Sequence, residues 1–440
     1  MNYYVTMERT IINKLVEWKN KKDRKPIILN GARQTGKTWI LKEFGSRHFS
    51  SFAYIKFDNN ETAKNIFEQD FHIKRIISQL SLVSETEIKP NETLIVFDEI
   101  QECPKALTAL KYFCEEAPEY FVAAAGSLLG IKLSNSQGTG FPVGKVEYLN
   151  LNPMNFKEFL MATGMKKFIP FIEGKDWETL KAFKNELRLS LKKYFIVGGM
   201  PEAVLAFTDS ENFNKAREIQ KRILNDYDND FSKHAPLQDL PKIRDLWDSV
   251  PRQLAKENKR FVYSECRTGG NAKTLENALW WLFDAGLLKK VKRVSAPDFP
   301  LSYYEDGAFK LFFLDIGLLC AKSELSPKTI LEGNRVFTEF KGALTEQYVN
   351  QELRSLEKIE NQYYWAGRTS EIDFLVQIEN KIIPIEVKAE QNLQAKSLKY
   401  FCEKFNIKKA YRFSMSDHNT GNYPFGTELE DIPLFAINLD

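Results

Sequence analysis

A run of eight residues constrains this chain more than any other feature. Gly31-Ala32-Arg33-Gln34-Thr35-Gly36-Lys37-Thr38 follows an apolar stretch, Ile27-Ile28-Leu29, and precedes a helix-like one, Trp39-Ile40-Leu41. G-x-x-x-x-G-K-[ST] between a strand and a helix is a phosphate-binding arrangement. The glycines let the backbone curl so that N–H groups converge on an anion, and the helix start behind them adds partial positive charge. Lys37 is positioned for the β/γ-phosphates of ATP and Thr38 for Mg²⁺, while Ala32, Arg33, Gln34 and Thr35 carry the loop backbone between them.

A second motif fits the first. Leu94-Ile95-Val96-Phe97 is an apolar strand ending in Asp98-Glu99, 61 residues after Lys37. Asp98 is expected to hold the Mg²⁺ shell and Glu99 to polarise the attacking water. A third strand over 121–125 runs into Gly126-Ser127. Ser127 either senses the γ-phosphate or is an ordinary loop serine.

Around these motifs, strands are expected over 27–30, 52–57, 94–98, 121–125 and 146–151. Helices are expected near 37–44, 73–82 and 104–116. Such alternation argues a mostly parallel α/β sheet. From 153 to about 235 the strand signal gives way to helical material, broken at Gly198-Gly199-Met200-Pro201. Helices over 243–254 and 275–285, then strands over 287–294 and 309–314, resemble a winged helix. Leu275, Leu279 and Leu282 share its inner face. The last part carries a long helix over 335–356, strands over 363–365, 372–378 and 381–387, a helix over 393–405 and a strand near 410–413. The expected division is therefore 1–152, 153–238, 239–325 and 326–440.

Composition narrows the class further. With 62 basic and 59 acidic residues the chain is no polycation, and 33 Phe, 17 Tyr and 7 Trp exclude a largely disordered one. Five scattered cysteines and four histidines offer neither a disulfide framework nor a zinc site. No apolar run is long enough to span a membrane and the first twenty residues lack a signal-peptide core. A reducing cytoplasm is the expected compartment. The window 251–300 is locally basic, at net +5, with Lys289, Lys290, Lys292 and Arg293 on the candidate wing. Those cations either contact a DNA backbone or are solvated.

In the last part, Asp373 alternates with Ile372 and Phe374, and Glu386 and Lys388 share the face opposite Ile385 and Val387. Glu346 lies on the helical row of Val349 and Leu353, so it is expected to face inward. Either these groups gather around a cation, or Asp373 and Lys388 form an ion pair between strands.

Gly31–Thr38, Asp98-Glu99-Ile100-Gln101, Gly126-Ser127, Phe141-Pro142-Val143-Gly144-Lys145 and Gly199-Met200-Pro201 occur in the order of a large prokaryotic family that this chain resembles. It comprises AAA-type ATP-binding proteins with a C-terminal domain of the type called DUF4143. The resemblance implies a P-loop NTPase sheet with a helical lid, a winged helix and an α/β restriction-endonuclease-like domain, with ATP and Mg²⁺ bound and oligomerisation left open. Family members usually have Gly-Arg at Gly144-Lys145; lysine keeps the charge but not the fork of donors. Gly199-Met200-Pro201 is also similar to the G-x-P motif of signalling STAND ATPases, which would put Pro201 near the nucleotide base; a plain helix break is the alternative. Glu346, Asp373, Glu386 and Lys388 resemble a PD-(D/E)XK core. That likeness implies Asp373 and Glu386 on Mg²⁺, Glu346 in support and Lys388 activating water. Two functions follow: an ATP-driven switch with a DNA-cleaving or DNA-binding output, or a regulatory ATPase whose C-terminal domain is a non-catalytic interaction module.

Overall fold

The computed structural model describes residues 7–127, 142–257, 259–332, 335–389, 396–423 and 426–439. The chain divides into two compact units, one of Glu8–Asn152 with 284–286, the other of the remaining residues.

In the first unit, β1 (Ile27–Gly31), β2 (Ser51–Lys56), β3 (Thr93–Asp98), β4 (Phe121–Ser127) and β5 (Glu147–Asn150) form one sheet in the order β2-β3-β4-β1-β5. All four pairings are parallel. The strands are apolar on both faces because helices cover both. Ile28, Ile95, Phe97, Val122 and Ala124 pack with the helices Glu61–Gln69, Ile73–Val83 and Pro104–Glu116. Ile27, Leu29, Leu94, Val96 and Phe121 turn to the helices Ile11–Asn20 and Lys37–His48. The first of these helices was not expected from the sequence, although Ile11, Leu15 and Trp18 are its buried row.

The second unit begins with helices only, from Phe156–Ala162 to Phe213–His234. Its sheet has eight strands. β6 (Leu288–Val294) and β7 (Glu305–Phe313) form the hairpin of the expected winged helix. β8 (Gln362–Ala366), β9 (Glu371–Ile378), β10 (Lys381–Val387), β11 (Lys409–Ser414), β12 (Asn419–Tyr423) and β13 (Thr427–Pro433) follow. The order is β12-β13-β11-β10-β9-β8-β6-β7. The expected boundary at 325 is therefore no break in hydrogen bonding, because β6 pairs in parallel with β8, Arg293 beside Tyr364. The hairpin is the end of the C-terminal sheet rather than a free wing.

The long helix Arg335–Leu353 is buried from Ala343 onward, polar residues included. Gln347 accepts from Phe313 N–H at 2.8 Å and donates to its carbonyl at 2.9 Å, and Gln351 accepts from Ile316 N–H at 3.0 Å. The buried amides of Gln347 and Gln351 thus find backbone partners.

The Gly198–Pro201 break has a packing cause. The helix Lys184–Val197 stops at Gly198, whose φ is 71°. Gly199 donates its N–H to the buried Asp315 at 2.6 Å and accepts from Met154 N–H at 2.7 Å. A Cβ on Gly199 would stand 2.0 Å from the Met154 carbonyl oxygen. Pro201 is buried and opens the helix Pro201–Thr208, where its missing N–H costs nothing. Gly199→Ala is expected to destabilise this unit by about 3 kcal/mol through overpacking, read as a lowered midpoint of thermal unfolding.

Candidate functional site

The end of β1 is built for close approach. A Cβ on Gly31 would come within 2.5 Å of the Leu151 carbonyl oxygen. The loop then turns through Gln34 at φ 65° and Gly36 at φ 94°, the residue before the helix Lys37–His48. Left-handed residues in such a turn help to aim successive N–H groups into one concavity. Ala32 and Thr35 are buried, and Thr35 Oγ1 donates back to the Ala32 carbonyl at 2.9 Å.

Lys37 Nζ donates to the carbonyls of Gly31 and Ala32 at 3.0 and 2.8 Å. Burial pushes its pKa down to about 8, against the pull of the Glu99 and Asp98 charges and with the repulsion of Arg33. At 1.4 kcal/mol per pH unit, the ammonium is disfavoured by about 3 kcal/mol relative to water.

Asp98 ends β3 and is buried. It accepts from Thr38 Oγ1 at 3.1 and 2.9 Å, from Tyr54 Oη at 2.6 Å and from Glu99 N–H at 3.1 Å. Tyr54 reaches it from β2; burial and then its bond to Asp98 raise the phenol pKa, so it stays a donor. Glu99 has φ 51° and ψ 48°, a conformation a β-substituted residue holds only where its surroundings impose it. Its carboxylate accepts from Gln101 Nε2. Ser127 ends β4 in register with Gly31, beside the loop's first residue.

The hydroxyl of Thr38 and the carboxylate of Asp98 are oxygen donors of the kind Mg²⁺ takes, and the two touch, so this corner fits the ion. The partly buried ammonium and the curled loop fit a polyphosphate. Arg9 and Tyr54 carried no sequence signal. Arg9 is buried and donates to the carbonyls of Thr35 (3.2 Å) and Asn152 (2.7 Å), holding the loop to the end of the sheet. In the motif at 141–145, Phe141 lies outside the described residues and Lys145 pairs with Glu115 at 2.8 Å.

The C-terminal residues are arranged differently from the expectation. Glu346 is buried as expected, but it pairs with Lys259 and, at 3.4 Å, with Lys310. Burial pushes its pKa up, and the two ammonium charges more than reverse this. Lys310 also meets Glu371 at 2.5 Å. Asp373 accepts from Val387 N–H at 2.8 Å, and burial, then the Glu346 charge, push it up to about 7. Glu386 pairs with its neighbour Lys388 at 2.9 Å and stands in register with Arg412, itself bound to Asp431. Of the four groups expected around one cation, Glu346 and Asp373 lie close enough for their charges to interact, while Glu386 is paired with Lys388. Lysines hold Glu346, a backbone N–H takes Asp373, and among the described residues no three of His, Cys, Asp or Glu form a metal-binding group. One oxygen of Glu386, Oε2, makes no hydrogen bond. The Lys388–Asp373 ion pair is also not what forms, since Lys388 pairs with Glu386.

Part of the basic window 251–300 is paired with carboxylates. Lys292 pairs with Glu305 (2.8 Å), Arg293 with Asp306 (2.7 Å), Lys256 with Glu265 (2.6 Å) and Arg267 with Asp245 (3.5 Å). Lys290 lies over the Phe309 ring at 4.3 Å.

Three family descriptions match the chain. Residues 23–160 match "AAA domain", 188–329 match a domain of unknown function, DUF8612, and 341–435 match a second, DUF4143. No curated protein matches. Among solved structures, a Walker-type ATPase of Pyrococcus abyssi is 13% identical, with 72% of this chain and 96% of that one covered at a TM-score of 0.47. An ORC protein of Aeropyrum pernix in ADPNP–ADP complexes is 11% identical, at 78%, 92% and 0.36. A STAND protein of Pyrococcus horikoshii with a tetratricopeptide repeat sensor is 14% identical, at 80%, 46% and 0.26. Residues 23–160 are thus similar to AAA domains and residues 341–435 to DUF4143 domains.

Two expectations follow from the site. Phosphate beside Lys37 favours its charged form, so above pH 8 ATP binding should take up a proton. Affinity should then fall by up to about tenfold per pH unit, measurable by calorimetry in buffers of different ionisation enthalpy. Tyr54→Phe should leave ATP affinity unchanged and raise the Mg²⁺ needed for half-maximal hydrolysis at least about tenfold, the worth of one hydrogen bond to a carboxylate.

Proposed function

We propose that this chain is an ATP-dependent switch. Residues 31–38 cradle the phosphates and Lys37 meets the β/γ-phosphates; Thr38 and Asp98 would hold Mg²⁺, which would supply charge neutralisation at the phosphates. Glu99 orients and polarises the attacking water, and Ser127 stands where the loop begins. The observation that carries this reading is the junction of the Lys37 ammonium, held on the Gly31 and Ala32 carbonyls, with the Thr38–Asp98 pair at one end of a parallel sheet. Among the described residues no helix is long and apolar enough to cross a membrane.

Two outputs were open from the sequence. Lys310 and Lys259 on Glu346, and the paired cations of the hairpin, favour the second, a C-terminal domain that acts as an interaction module without cleaving nucleic acid. A basic surface for DNA would need free cations, and two of the four cations on β6, Lys292 and Arg293, are paired with their neighbours.

Glu99→Gln should retain ATP affinity and reduce kcat by at least 10²-fold, since the amide cannot take a proton from water. Phosphate release by this variant at the wild-type rate would move the catalytic role elsewhere. Lys37→Met should abolish measurable ATP binding. It should also raise thermal stability, because the charge lost is one the folded protein disfavours; that rise separates a site defect from misfolding.

A further inference from the structure

Lys310 is fully buried on β7. Its ammonium lies 2.5 Å from Glu371, 3.4 Å from Glu346 and 4.9 Å from the centre of the Tyr364 ring. Lys259, largely buried, takes the other oxygen of Glu346. Asp373, two residues along β9 from Glu371, lies close enough for its charge to act on Lys310. Three carboxylates from a helix and a strand thus face two ammonium groups from β7 and the segment before it.

A lone ammonium is not buried without compensation, since its desolvation costs several kcal/mol. Lys310 is compensated on all the sides described, by two carboxylates and a ring face. Two ammonium groups also supply the charge that one divalent cation would. A metal entering this cluster would have to evict a fully enclosed side chain or bind beside two like charges. A divalent ion therefore does not fit among Glu346, Glu371 and Asp373.

We propose that Lys310 and Lys259 stand in place of a divalent cation among Glu346, Glu371 and Asp373, making the cluster a metal-free electrostatic joint. It ties the β6–β7 hairpin and the preceding segment to the long helix and β9. The inference rests on the reading of the C-terminal domain as non-cleaving.

The test uses the full chain without nucleotide, with Mn²⁺ alone as the probe. The wild type should show no Mn²⁺ site in the micromolar range by electron paramagnetic resonance, and its unfolding midpoint should not move between EDTA and Mn²⁺. Lys310→Met leaves Glu346 and Glu371 facing each other. Its midpoint should fall by roughly 10 °C, recover with Mn²⁺, and the variant should gain one Mn²⁺ site that Asp373→Asn removes. If Lys310→Met does not fold, Lys259→Met at the edge of the cluster carries the same readings. The proposal is overturned if wild-type protein binds Mn²⁺ at micromolar concentration and Asp373→Asn or Glu346→Gln abolishes it. It is overturned equally if a folded lysine variant neither loses stability nor gains a site. Plasmid nicking by the wild type that survives Asp373→Asn would instead remove the non-cleaving reading and leave the joint standing. The two failures are therefore distinguishable.

Discussion

The proposed nucleotide site depends on the partly buried Lys37 ammonium at the head of β1. Burial pulls its pKa down to about 8, and the opposing charges are those of Glu99 and Asp98. Everything near it serves that placement. Gly31 lets the strand pass within van der Waals reach of Leu151, and Gln34 and Gly36 turn the loop through left-handed angles. Arg9 ties the loop to Asn152. An ammonium held in place by fixed backbone carbonyls needs little reorganisation when the phosphate arrives. Its desolvation makes the ligand-free protein less stable than it could be, a cost typical of functional sites.

The second unit solves a different problem, the burial of polar groups. Its long helix is buried around Glu346, Gln347, Asn350, Gln351 and Glu352, residues that usually face solvent. Asn350 donates to Gln362 at 2.7 Å and Phe156 N–H donates to Glu352 at 2.9 Å. Asp315 gathers the N–H groups of Gly199 and Leu318 and the Gln351 amide, so that the glycine break, the end of β7 and the long helix meet on one carboxylate. A network of this kind specifies one arrangement strongly, because a shifted partner leaves a buried group unsatisfied. The lysine joint at Glu346 is the charged part of the same design.

The parallel sheet was legible because its strands are apolar and its turn chemistry is explicit: all five expected strands occur, within one or two residues at most ends. Asp98 was legible as a carboxylate closing such a strand. Tyr54 was not, because its role depends on β2 lying beside β3, and strand order is not local information. Arg9 was missed for the same reason, its targets being carbonyls 26 and 143 residues away. In the second unit, β12 (Asn-Thr-Gly-Asn-Tyr) lacks alternation and β13 buries Glu430 and Asp431, so neither reads as a strand. Glu346 was correctly expected to face inward. Its partners were not, since Lys310 sits in a strand pattern where a lysine ordinarily points to water.

The most direct test of the central claim is a structure determined with a non-hydrolysable ATP analogue and Mg²⁺. The account predicts that Lys37 Nζ leaves the carbonyls of Gly31 and Ala32 for β- and γ-phosphate oxygens, with Mg²⁺ held at Thr38 and Asp98. Nucleotide bound elsewhere, with Lys37 still on those carbonyls, would contradict it.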